Sequence, residues 1–213
     1  MKKWKLPEFC LLIIFCIALN YGGSQITLRW ELPLWLDSLG TMLSAYIAGP
    51  IVGSMVGVTG NLISAIVSGD FPYYALTSVT LAVILGICAR KKMMETWIGA
   101  MAVSVFISLA SVAISVPLNI ILYDGRTGNI WGNGVIDRLT EIGSPLIVAE
   151  IAGQFYLDFV DKVFCMLLLF VLIKVVRRHY EKKGETDVES AVRIIPFLLI
   201  FSLFGQQIGR AHV

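Results

Sequence analysis

The chain has 213 residues, of which 57% are hydrophobic and only 15% charged, and its mean hydropathy is +0.79. This composition excludes an ordinary soluble domain and indicates a protein that lies in the lipid bilayer. The net charge of +2 does not indicate a nucleic-acid partner, because the basic residues are segregated between apolar runs. The four cysteines lie in apolar runs without metal-ligand spacing, so we expect no metal site, no cofactor and no disulfide framework.

The first apolar run covers residues 9–26 and follows Lys2, Lys3 and Lys5. It is long enough to cross a bilayer. Ala18 and Gly22 stand four residues apart near its end, and two small residues at this spacing predict a close helix contact.

Residues 35–63 predict a tight helical hairpin. Two apolar segments meet at Gly49-Pro50 with almost no connecting loop, and Gly49, Gly53 and Gly57 recur at every fourth position. Small residues at this spacing line one helix face and allow neighbouring backbones to approach closely. Asp37 and Asn61 lie at the ends away from the turn, so both should reach the same membrane face. Two interpretations stay open for them: helix capping and helix–helix contact, or ligand binding.

Three further apolar runs follow, at residues 73–89, 96–122 and 146–176, with a kink or break expected near Pro117. Lysine and arginine are concentrated at the amino terminus, at residues 90–92 and at residues 174–183. The intervening loops hold only Arg29, Arg126 and Arg138. This positive-inside pattern predicts an all-α membrane protein, a six-transmembrane-helix bundle with both termini cytoplasmic, in the cell membrane of a prokaryote.

Polar and aromatic residues are predicted to converge on the outer side of this bundle. Glu150, Gln154, Asp158 and Asp161 fall on one face of the last span, and Lys162 could neutralise one carboxylate. Residues 123–145 are predicted to be a loop that lies over the membrane-embedded core. The predicted ligand-binding residues are Trp35, Asp37, Asn61, Tyr73, Tyr74, Asn119, Trp131, Glu150, Gln154 and Asp158.

Within this group, the amides and carboxylates would orient a ligand while the aromatic side chains stack on a planar ring. The hypothesis is therefore a site for a small molecule, such as a heterocyclic vitamin or a nucleobase-like compound. The alternative is that these residues only join helices and anchor loops. No paired-histidine metal helix, nucleophile elbow or phosphate-binding loop is present, so we expect no enzymatic activity.

The end of the chain differs from the rest. Residues 1–180 are expected to form the membrane domain, residues 181–192 a charged cytoplasmic linker, and residues 193–207 the start of a short seventh apolar segment. Residues 208–213 back-translate to a sequence that resembles a sequencing adapter. We therefore expect the natural protein to continue past Gln207.

Several short motifs resemble the substrate-binding S components of energy-coupling factor (ECF) transporters. They are Asn20 with Gly22-Gly23, the start Leu36-Asp37-Ser38-Leu39-Gly40-Thr41, the glycine series from Gly49 to Gly60-Asn61, and Phe159-Val160-Asp161-Lys162. The resemblance implies that the chain is the binding subunit of an ECF-type ABC importer, a bundle that binds a vitamin or related small molecule near the outer face. It also implies two kinds of partner, a transmembrane coupling subunit and two ATPase subunits. In that family the coupling subunit docks on small residues of the first span, a role that would fall to Ala18 and Gly22.

A second hypothesis belongs to a different functional class. The same bundle could be the N-terminal membrane ligand-sensing domain of a longer signalling protein. The charged linker and the further apolar segment favour this alternative, because a transporter subunit has little use for either after its sixth span.

Overall fold

A computed structural model of the chain describes residues 6–69 and 71–182, which contain seven α-helices, one 3-10 helix and no strand. The 3-10 helix, Met93–Glu95, connects the fourth and fifth α-helices. The α-helices are α1 (Leu6–Trp30), α2 (Leu39–Ala48), α3 (Pro50–Ser68), α4 (Ala75–Arg90), α5 (Trp97–Tyr123), α6 (Ile130–Glu141) and α7 (Leu146–Lys182).

The lengths and compositions of these helices fit a membrane protein. Among the described helices, α1, α3 and α5 are long and apolar enough to cross a bilayer. The apolar helices α2 and α4 have only 10 and 16 residues, and α7 carries buried charged side chains. The predicted all-α membrane protein is confirmed. The count of six spans rests on α2, α4 and α7, each of which falls short of a full apolar span in length or composition.

The hairpin of α2 and α3 turns at Gly49-Pro50, as expected. Gly49 has a φ of 94°, a conformation that favours glycine, and Pro50 occupies the first turn of α3, where its missing N–H costs nothing. A Cβ added at Gly53 would lie 2.5 Å from the Ala45 Cβ, and one added at Gly57 would lie 2.7 Å from the Ser78 Cβ. The backbone of α3 thus lies close to α2 on one side and to α4 on the other.

The predicted small-residue pair on α1 has different surroundings. Ala18 is exposed, and a Cβ added at Gly22 would meet nothing within 4 Å. The close approach occurs one residue later, at Gly23, where an added Cβ would collide with the Leu36 carbonyl oxygen. This glycine allows the connection between α1 and α2, residues 31–38, to pack directly against α1.

The segment between α5 and α7 contains a helix, whereas the sequence predicted only a loop. α6 is capped by Asn129, whose side chain accepts a hydrogen bond from the Trp131 N–H. It packs against α7, where Gly132 faces the Leu157 side chain and Gly153 faces the Gly132 carbonyl. Of the glycines in the predicted loop, Gly132 is therefore a point of close contact between α6 and α7.

The bundle has two unlike halves along its length. One half is a core of apolar side chains that includes Leu12, Met42 and Leu169. The other half contains buried polar side chains such as Asn119 and Asp158. α5 contributes to both halves and stays helical past Pro117, so this proline does not end the helix.

Part of the predicted domain division lies outside the described residues. α7 continues through residues 181 and 182, the first two of the predicted linker. The rest of the linker, the seventh apolar segment at 193–207 and the adapter-like residues 208–213 all fall beyond residue 182.

The contrast between Gly53 and Gly22 gives a direct test of the packing. Gly53→Ala should destabilise the protein by about 1–3 kcal/mol, because the new methyl group overpacks the α2–α3 contact. Gly22→Ala is the matched control and should stabilise by up to about 1 kcal/mol, since it gains helix propensity without a clash. Unfolding in detergent measures both; a Gly53→Ala protein as stable as the control would contradict the close contact.

Candidate functional site

The polar half of the bundle encloses a cavity of about 850 Å³. Its walls come from the carboxyl-terminal parts of α1, α3 and α5, the amino-terminal parts of α4 and α7, and the 31–38 connection. All of these lie at the same end of the bundle because successive helices alternate in direction. Seven of the ten predicted ligand-binding residues line this cavity: Trp35, Asp37, Asn61, Tyr74, Asn119, Gln154 and Asp158.

The other three predicted residues lie elsewhere. Tyr73 packs against Phe71, with ring centroids 4.9 Å apart. Trp131 is 48% exposed on α6, and its indole N–H donates to the Glu31 carbonyl at 2.7 Å. Glu150 is buried on α7 beside Gly125 rather than at the cavity wall. Trp131 therefore holds the 31–38 connection from outside the cavity.

A chain of side-chain hydrogen bonds crosses one wall of the cavity. The Tyr74 hydroxyl donates to Asn119 Oδ1, and Asn119 Nδ2 donates to Gln154 Oε1 at 2.9 Å. Gln154 Nε2 then donates to Asp158 Oδ2, also at 2.9 Å. The chain joins Tyr74, which directly precedes α4, to α5 and α7, so a change at any one of these side chains alters the hydrogen bonding of the next.

The floor of the cavity contains a buried ion pair. Lys162 Nζ lies 2.6 Å from Asp161 Oδ2, and both side chains are almost fully buried. Asp161 Oδ1 also accepts the backbone N–H groups of Trp35 at 3.1 Å and Leu36 at 2.8 Å. Leu36 has a φ of 51°, which is strained for a leucine, and the carboxylate stabilises this conformation through the two adjacent N–H groups.

The same ammonium group reaches beyond its partner. Lys162 Nζ donates to Ser38 Oγ at 3.2 Å, and it interacts electrostatically with the carboxylates of Asp37 and Asp158 as well as that of Asp161. The single positive charge of Lys162 is therefore shared among three carboxylates. Asp37 lies in the 31–38 connection, just before α2 begins at Leu39, rather than within a span.

Asn20 shapes the opposite wall. Its Oδ1 accepts the Gly40 N–H at 2.7 Å, and its Nδ2 donates to the Thr41 hydroxyl at 2.8 Å. A side chain of α1 thus satisfies the free N–H groups at the start of α2, a task that a capping residue ordinarily performs. On the far side, Asn61 Nδ2 donates to the Ser78 hydroxyl at 2.8 Å and joins α3 to α4.

Several cavity residues were absent from the predicted site. Lys162 was predicted only to neutralise a carboxylate, and no role was predicted for the serines of α5. The signal for the serines was present: Ser104, Ser108, Ser111 and Ser115 repeat every three or four residues in the most apolar helix, on the same face as Asn119. Ser111 and Ser115 line the cavity, and the other two are buried below it.

Comparison with protein-family models identifies the family of the chain. Residues 1–127 match the 5TM-5TMR_LYT family model, described as the 5TMR of 5TMR-LYT. The chain belongs to this family. Its members are five-transmembrane receptor domains of LytS-type sensor kinases, the N-terminal membrane sensing domains of signalling proteins. Five apolar helices, α1–α5, fall within the matched residues, while α6 and α7 follow them.

The family assignment corrects three predictions. The resemblance to ECF S components was wrong, and so was the role as the binding subunit of an importer. The predicted partners, an ECF coupling subunit and two ATPase subunits, were wrong for the same reason. The motifs behind that resemblance are short and rich in glycine, and they encode close helix packing, which membrane bundles of many families need. Comparison with curated proteins and with solved structures found no match.

The ion pair on the cavity floor can be tested by a double-mutant cycle. Asp161→Asn should destabilise the protein by about 3–5 kcal/mol. It removes the carboxylate that pairs with the buried Lys162 ammonium, and it weakens the hydrogen bonds to the 31–38 connection. The Asp161→Asn, Lys162→Met double variant should lose less than the sum of the single losses.

The exposed pair of Arg126 and Asp137, 2.7 Å apart, provides the control for this cycle. Asp137→Asn should cost no more than about 1 kcal/mol, as solvent-exposed pairs do. Unfolding in detergent measures all variants. Equal losses at Asp161 and Asp137 would show that the buried pair does not hold the connection in place.

Proposed function

We propose that the chain is the ligand-sensing membrane domain of a signalling protein in a prokaryotic cell membrane, and that the cavity binds a small molecule. The role is binding, with no catalysis by this domain. The observation that carries the proposal is a polar cavity inside an apolar bundle whose family consists of receptor domains.

The properties of the cavity support this role. A volume of about 850 Å³ lies in the range of small-molecule sites. Asn119, Gln154 and Asp158 lie buried in a membrane bundle, where polar groups are costly to maintain and usually serve a function. Side chains that only joined helices would not need to leave an open volume between them.

A route for the signal is available along α7. Gln154, Asp158 and Lys162 line the cavity from this helix, which has 37 residues and is about 55 Å long. A ligand that contacts Asp158 would change the electrostatic balance around Lys162, and with it the contacts of Asp161 to the 31–38 connection. Such a ligand would favour one position of α7 over another, which is what a sensor must do to transmit binding.

The arrangement in the membrane follows from the same elements. α7 adds a sixth crossing to α1–α5, and both ends then lie on the cytoplasmic side, in agreement with the basic residues at 90–92 and 174–178. The cavity opens toward the outer face. In this proposal residues 1–180 are the membrane domain that binds the ligand.

Thermal unfolding with a blocked cavity tests the binding role. The wild-type protein in detergent is screened with amines, carboxylic acids, sugars and nucleobases. A compound at a hundred times its dissociation constant should add about 2.7 kcal/mol of stability. Ser115→Phe fills the cavity wall and should abolish this shift.

Ala102→Phe is the matched control, because Ala102 lies on the same helix but is exposed on the outer surface of the bundle. This variant should keep the full shift. If no compound stabilises the wild-type protein, or if Ser115→Phe responds as Ala102→Phe does, the cavity is not the binding site.

A further inference from the structure

The charges that line the cavity are unbalanced. Two of the five charged residues in the lining are cations, and each is bound to a carboxylate outside the lining: Lys162 to Asp161 at 2.6 Å, and Arg126 to Asp137 at 2.7 Å. The remaining three are the carboxylates of Asp37, Asp124 and Asp158. The lining therefore presents an excess of negative charge to whatever enters.

Asp158 shows this excess most clearly. Its side chain is 3% exposed, and it accepts a hydrogen bond from the neutral Gln154 amide. Lys162 interacts with it electrostatically but shares its single charge with Asp161 and Asp37. A buried carboxylate with so little counter-charge is unfavourable in a membrane bundle, and a bound cation would relieve it.

The other groups of the lining suit an organic cation. Tyr21, Trp35, Tyr74 and Tyr123 line the cavity, and aromatic faces attract ammonium and guanidinium groups. Asn61, Ser111 and Ser115 add hydrogen-bonding groups for the rest of a polar molecule. Among residues 6–69 and 71–182, no group of three His, Cys, Asp or Glu side chains is arranged to hold a metal ion.

We infer that the ligand of this cavity is a small organic cation, whose ammonium or guanidinium group is bound by Asp158 and Asp37. The inference rests on the proposed function and names the chemical class of its ligand. Binding gives Asp158 a positive partner, so that Lys162 interacts more fully with Asp161. The positive charge of the ligand is therefore the property that the sensor recognises.

Matched compounds of different charge test the inference by thermal unfolding and equilibrium binding. Putrescine, butanediol and succinate share a four-carbon skeleton, and ethanolamine, ethylene glycol and glycolate share a two-carbon one. Choline and agmatine extend the cation set. The cations should stabilise the wild-type protein, while the neutral and anionic partners of each series should not.

Two isosteric variants test whether the carboxylates of the cavity bind the cation. Asp158→Asn and Asp37→Asn should each weaken the binding of the best cation by about tenfold or more, because each removes a charged acceptor. Glu141→Gln removes the same charge from an exposed position on α6 and should leave the affinity unchanged. Two positions are used so that a folding defect in one variant does not decide the result.

The possible outcomes separate the inference from the proposed function. Binding of neutral or anionic compounds in preference to cations would overturn the inference and leave the sensing role intact. Cation binding that is equally strong in Asp158→Asn, Asp37→Asn and the wild-type protein would also overturn it. If no compound of any charge binds, both the inference and the proposed function fail.

Discussion

The contact between Asp161 and the 31–38 connection is the interaction on which the polar half of the bundle depends. A carboxylate inside a membrane bundle requires partners, and this one has the Lys162 ammonium and two backbone N–H groups. Because those N–H groups belong to Trp35 and Leu36, the connection is held against α7 and brings Trp35 and Asp37 to the cavity. Gly23 makes room for it on α1, and Trp131 holds it from outside. The wall of the cavity that the 31–38 connection forms thus depends on a buried ion pair.

Sequence patterns were sufficient where periodicity and local chemistry determine structure. The spacing of Gly53 and Gly57 indicated a hairpin with close backbones, and the four-residue spacing of Gln154 and Asp158 placed both on one helix face. Sequence patterns did not predict the features of the structure that depend on contacts between residues far apart in the chain. Nothing near Trp131 indicates that its indole N–H bonds to the carbonyl of Glu31, a hundred positions earlier. α6 was not predicted, because its glycines also suit a loop.

The error over the family has a physical basis. Asp37, Asn61 and the glycine series from Gly49 to Gly60 resemble motifs of a transporter subunit, yet they indicate only a helix pair with polar ends. Fold and packing do not determine function, which depends on what the bundle is connected to. The matched residues 1–127 carry α1–α5 of a receptor domain, and α7 joins the cavity to the opposite end of the molecule. A polar cavity serves uptake and sensing equally well.

Reaction of a cysteine within the cavity tests the central claim, that this volume is an open polar site. A membrane-impermeant thiol reagent is applied from the outer side to cells that carry Ser115→Cys or Ser104→Cys, and labelling is compared with the unsubstituted chain. Both serines lie on one face of α5, but only Ser115 lines the cavity. The account predicts labelling of the Ser115→Cys protein, slowed by bound ligand, and none of the Ser104→Cys protein. Absence of labelling at position 115, or equal labelling at both positions, would contradict it.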